Sequence, residues 1–186
     1  MNAMTSSPRR LISTAILVGA AALAAFAAFV PVSAAAPTLA RGASGTPKCG
    51  TSGLVIWLNT TGNGAAGSIY YNLNLTNLSG RACTLSGYPG VSAVNLAGRQ
   101  IGAGASRERS QKPRLVTLAP GGGATVLLRI VEAGNFPSSS CREVTAAGLR
   151  GYPPGQAASK LVPFPFQACS RAGASVLSVR AVQSTA

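Results

Sequence analysis

Between Ser68 and Asn77 the chain alternates cleanly. Ile69, Tyr71, Leu73 and Leu75 are apolar, while Asn72, Asn74 and Thr76, with the amphipathic Tyr70, fall between them. A period of two is the mark of a strand with one buried and one wet face, and it predicts a strand over 68–77. Leu54–Asn59 is a shorter apolar run of strand length, with Leu54, Ile56 and Leu58 on one side and Trp57 on the other. Further strands are predicted at 91–96, 114–118, 125–132, 144–149, 160–162 and 175–182. Ala146-Ala147 is the one place where a short helix competes. Turn chemistry separates these runs: Ser79-Gly80, Tyr88-Pro89-Gly90, Ala97-Gly98, Pro120-Gly121-Gly122-Gly123 and Pro153-Pro154-Gly155. The glycine run at 121–123 reads as a hairpin turn, because no Lys-Ser/Thr pair follows to make a phosphate cradle. About seven or eight short strands with regular turns predict an all-β, antiparallel β-sandwich.

The N-terminus follows another pattern. Arg9 and Arg10 precede the apolar run Leu11 to Val30, Pro31 breaks it, and Val32-Ser33-Ala34 offers the small residues a signal peptidase reads. This predicts a signal peptide over 1–34 cut after Ala34, hence a secreted or cell-envelope protein. The alternative is a membrane-anchored form held by Leu11 to Val30, a run long enough to span a bilayer. Residues 35–47, rich in Ala, Pro, Gly, Ser and Thr, read as a flexible linker, and 48–186 as the sandwich domain.

Composition narrows the chemistry. The chain has 16 Lys+Arg, 3 acidic residues and no histidine, a net charge of +13. The acids are Glu108, Glu132 and Glu143, and aspartate is missing altogether. A Ser-His-Asp or Cys-His nucleophile system and a histidine-ligated zinc are therefore excluded, and a carboxylate-rich metal site has no ligands. Of the acids, Glu132 and Glu143 are the candidates for a two-carboxylate glycosidase, but both read as ordinary surface acids among many arginines. Ser159-Lys160 is no catalytic dyad, since strand neighbours point apart. No enzyme, cofactor, metal or small-molecule substrate is expected. The four cysteines, Cys49, Cys83, Cys141 and Cys169, predict two disulfides in an exported chain. Three pairings are open, and nearest neighbours, Cys49–Cys83 and Cys141–Cys169, are favoured.

Thr76-Asn77-Leu78-Ser79-Gly80, Cys83-Thr84-Leu85, Gly87-Tyr88-Pro89-Gly90-Val91 and Leu118-Ala119-Pro120-Gly121-Gly122-Gly123-Ala124, closed by Cys141 and Cys169, together resemble an actinobacterial exported family. That family is catalogued as domain of unknown function 4232. The resemblance spans about Cys49 to Val182. It implies an immunoglobulin-like sandwich with disulfides, exported or lipid-anchored, with no activity assigned and so no catalytic residues to carry over. The chain departs from lipid-anchored members in having no cysteine at the signal junction.

Three features are candidates for function. Arg99, Arg107, Arg109, Lys112 and Arg114 crowd one stretch with Glu108 as the sole acid among them, and Gly102 and Gly104 make it a long flexible loop. These are the candidate anion-binding residues, with arginine suited to phosphate. With no aromatic in 99–114 to stack on bases, specific nucleic-acid binding is not expected. Trp57 reads as core filling and Tyr88 as packed over the Cys83 bridge behind a tight Pro-Gly turn. The three Asn-x-Ser/Thr triplets at 59, 74 and 77 read as side chains on strand faces and turns. The function expected is a non-enzymatic cell-envelope or extracellular binding or scaffolding module with an envelope protein or glycan as partner. The alternative is a basic domain held electrostatically on an anionic wall polymer or lipid headgroups.

Overall fold

A computed structural model describes residues 45–185; the signal-peptide and anchor readings, and most of the linker, lie outside these residues. The strands are β1 Leu54–Ala65, β2 Ser68–Asn77, β3 Cys83–Leu85, β4 Gly90–Val94, β5 Gln100–Ile101, β6 Ser106–Arg107, β7 Val116–Leu118, β8 Gly123–Val131, β9 Glu143–Tyr152, β10 Lys160–Cys169, β11 Leu177–Val179 and β12 Gln183–Ser184. They form a sandwich. One layer runs β1-β2-β8-β11-β6, with β12 also on β8, and the other runs β10-β9-β4-β5. A two-stranded piece, β3-β7, closes one side. The strands pair antiparallel except β6 beside β11, which is parallel, as is the isolated bridge from Lys48 to Thr84.

The alternation in β2 does what its period requires. Leu73 and Leu75 are buried, in register with Leu58 and Ile56 of β1 and with Val126 and Ala124 of β8. From the other layer Ala93, Ala146, Leu149, Val162 and Ala168 complete one continuous core. Ala146-Ala147 belongs to β9, not to a helix: Ala146 is fully buried and pairs with Phe166.

Three differences from the sequence reading bear on the site. First, β1 runs six residues past Asn59 to a two-residue turn, Ala66-Gly67, with φ of 47° and 69°. Both residues are left-handed, which matches a type I′ hairpin. Ala66 is the only non-glycine with positive φ among the described residues. Ala66→Asn is therefore expected to raise stability by about 0.5–1 kcal/mol, seen as a higher melting temperature, because Asn tolerates this conformation better than Ala. Second, Pro120-Gly121 is not a hairpin. It forms a type II turn, with φ of 75° at Gly121 and the Gly122 N–H donating to Ala119 O at 2.9 Å. It carries the chain from β7 in one sheet to β8 in another.

Third, β10 continues through Pro163-Phe164-Pro165-Phe166, where the reading stopped at Val162. Proline has no N–H for a ladder, so a central strand excludes it, but β10 is an edge strand. A bulge falls between Pro163 and Phe166. Gly148 lies under it, where an added Cβ would sit 3.1 Å from Phe164 N.

Candidate functional site

The cysteines pair Cys49–Cys83 and Cys141–Cys169, with Cα separations of 4.9 and 4.8 Å. No free thiol remains among the described residues. The first bridge anchors the entering chain, reinforced by Cys49 N–H to Thr84 O at 2.9 Å and Thr84 N–H to Pro47 O at 2.8 Å. Pro47, counted with the linker, is thus already tied to the domain.

The basic stretch is not a free loop. Residues 106–111 form a strap, because Glu108 is held from every side. Its carboxylate accepts Ser178 Oγ at 2.6 Å and Arg180 Nε at 3.2 Å, and its N–H donates to Val179 O at 2.9 Å. Gln111 accepts the Tyr88 hydroxyl at 3.2 Å on its carbonyl and Gln183 Nε2 at 2.7 Å on its side chain. Tyr88 accordingly meets the strap, with the Arg107 guanidinium 5.9 Å above its ring. The positive φ in its turn belongs to Gly87, at 105°, while Gly90 opens β4.

Of the five candidate anion-binding residues, the fold brings Lys112 and Arg114 onto one wall. They line a polar depression of about 800 Å³ with Gln111, Thr117, Gln183 and Ser184, and no acid is in its lining. Arg107 and Arg109 are exposed on the adjoining strap. Arg99 is separated from them: it sits on the β4–β5 turn of the other sheet, its N–H capped by Asn95 Oδ1 at 2.9 Å.

The hydrogen bond from Ser178 lowers the Glu108 pKa from its ordinary value of 4.5, helped by Arg180 and opposed by partial burial. A carboxylate with a depressed folded pKa stabilises above its unfolded pKa and loses that contribution as pH falls through the folded value. Glu108→Gln is thus expected to cost roughly 1–2 kcal/mol at pH 7, the gap to the parent closing as pH falls through the lowered Glu108 pKa in pH-dependent urea unfolding.

One residue lies elsewhere than expected. Trp57 is 47% exposed, not core. It stands on the outer face of β1, opposite Asn74, with Nε1 donating to Thr76 Oγ1 at 3.2 Å. Glu132 and Glu143, eleven residues apart in sequence and both exposed as expected, line one pocket of about 300 Å³ with Ile69, Tyr71, Phe164 and Phe166. Tyr71 and Phe164 meet edge to face at 5.0 Å, and Phe164 stacks on Phe166 at 6.0 Å. The sequence signal for this pocket was the Phe-x-Phe spacing, which puts both rings on one strand face, hidden by Pro163 before it and Pro165 within it.

Fold and disulfides define a twice-crosslinked β-sandwich of an oxidising compartment. Among the described residues no helix is long and apolar enough to cross a membrane. The chain belongs to the family described as Domain of unknown function (DUF4232), which matches residues 49–183. No curated protein and no solved structure matches it.

Proposed function

We propose that this domain is an exported, non-enzymatic binding module that holds to a phosphate-bearing polymer of the cell envelope. The observation that carries this reading is the acid-free depression walled by Lys112 and Arg114, beside exposed Arg107 and Arg109, on a chain of net charge +13. A surface of one sign in a partly enclosed site concentrates polyanions, and guanidinium matches phosphate in a bidentate fork. The strap supports it further, since Glu108, the one acid nearby, is turned inward onto Ser178 and Arg180. Absence of His and Asp from the sequence supports a role without catalysis.

The test uses sedimentation with isolated cell wall across a salt series. Arg109→Glu, Lys112→Glu and Arg114→Glu together are expected to weaken retention about tenfold or more at low salt, with parent and variant converging at high salt. Arg107 is left in place because it packs on Tyr88. Retention that is unchanged in the triple variant, or indifferent to salt in the parent, would overturn the assignment.

A further inference from the structure

We infer that the pocket between the sheets is a binding site for a small organic cation of the alkylammonium class. It is distinct from the basic depression, sharing no residue with it.

The pocket is built by both layers. Ile69 and Tyr71 come from β2, Ile130 and Val131 from β8, and Phe164 and Phe166 from β10, while Glu132 and Glu143 stand where β8 ends and β9 begins. The β10 bulge sets the rings. Pro163 pairs with Gly148 and Phe166 with Ala146, so an extra residue is accommodated opposite Ala147. Phe164, Phe166 and Tyr71 thereby form a contiguous aromatic wall, each ring half-buried with one side against the core. Aromatic faces carry negative quadrupole charge, and several of them around a cavity attract a desolvated ammonium.

Charge points the same way. The chain has only three acids, and two of them line this one cavity. Among the described residues the ion pair Arg180–Glu108 is the only one, so neither Glu132 nor Glu143 is paired with a cation among them. Arg142 and Arg171 line an adjoining polar depression that shares Glu143, Ala133 and Gly134 with this pocket, but neither guanidinium forms an ion pair with Glu143. An apolar cavity suits a neutral hydrophobe as well. Glu132 and Glu143, both exposed and neither in an ion pair, favour instead a ligand with an apolar body and a positive charge. A volume of about 300 Å³ fits a small molecule and is at the low end for ligand pockets.

Choline and its neutral isostere 3,3-dimethylbutan-1-ol are the probes, titrated into the disulfide-bonded protein with binding read from amide and ring NMR shifts. Choline is expected to bind in the millimolar range or tighter, at least about tenfold better than the isostere, with shifts centred on Tyr71, Phe164 and Phe166. Glu132→Gln with Glu143→Gln should remove that preference while leaving the weak binding of the isostere unchanged. Phe164→Leu, which keeps an apolar wall, should weaken choline several-fold more than the isostere. Equal affinity for the two probes would show a plain hydrophobic pocket and overturn the proposal. So would retention of the preference in the double Glu→Gln variant, or no shift at these rings at high millimolar choline. The readout is independent of wall retention, so failure here and failure of the polyanion reading are separate results.

Discussion

Asn77→Leu is expected to lose about 3–5 kcal/mol of stability in urea unfolding, the largest single-residue effect on the side of the sandwich away from the aromatic pocket. Asn77 ends β2 fully buried, yet it is polar. Its Nδ2 donates to the carbonyls of Arg81 at 2.8 Å, Leu118 at 3.1 Å and Ala119 at 3.1 Å. Its Oδ1 accepts the Ser79 N–H at 3.0 Å and Ser79 Oγ at 2.7 Å. Its backbone also brackets the Pro120-Gly121 turn, donating to Gly122 O and accepting from Gly121 N. One amide thus ties the end of β2, the 79–81 turn and the exit of β7 together. Leucine fills similar space but removes the amide from all of these partners: Ala119 O keeps the Gly122 N–H and Arg81 O keeps Ser79 Oγ, so the cost falls mainly on the buried Leu118 O and on the Ser79 N–H, at about 1–3 kcal/mol each. Asn77→Asp separates donor loss from packing. A buried aspartate facing carbonyls has its folded pKa raised, so protonation favours the folded state. That variant should regain stability relative to the parent as pH falls from 7 toward 4. A loss under about 1 kcal/mol for Asn77→Leu would show that water replaces the amide.

Removing either disulfide is expected to cost about 3–4 kcal/mol, from loops spanning 34 and 28 residues. The two losses should differ in where they are felt. Around Cys49 the backbone ladder to Thr84 and Pro47 persists, so Cys49→Ala with Cys83→Ala should loosen the entering chain and β3 only. Cys141–Cys169 joins the lead into β9 to the end of β10, next to Glu143 and Gln167 of the aromatic pocket. Cys141→Ala with Cys169→Ala should therefore also speed amide hydrogen exchange through β10 and Phe166. Equal protection of β10 in both double variants would show that the bridge does not organise the pocket.

Much of the fold was legible because it is local. The period of two in 68–77 specifies a strand and its buried face whatever its neighbours, and the structure keeps those bounds. Four cysteines in a chain whose N-terminus reads as a signal peptide pointed to two bridges, and the nearest-neighbour pairing favoured there is the one found. Proline before glycine marked the turn at 120–121 correctly as a turn. Whether that turn joins neighbours in one sheet or crosses between sheets depends on which strands pair, and β7 pairs with β3, some thirty residues back.

The sites were less legible, for physical reasons visible in particular residues. Trp57 was expected inside because large aromatics bury well, but β1 is an edge strand whose second face has no layer over it. Pro163 and Pro165 argued against a strand until tertiary pairing placed β10 at an edge, where missing N–H groups cost nothing. The crowd of arginines in 99–114 was plain in the sequence, as was its sign. Its division was not: Arg99 went to one sheet, and Lys112 with Arg114 to a wall formed against β12. Glu132 and Glu143 read as surface acids, and both are exposed, but nothing between residues 132 and 143 announces the pocket they share. Their common cavity exists only because β2, β8 and β10 converge there. Sequence alone determined composition, the alternation that makes strands, the turn chemistry and the number of crosslinks, since each depends on a residue and its near neighbours. Tertiary structure alone decided which faces are covered and which charges meet, because burial and long-range pairing belong to the packed whole.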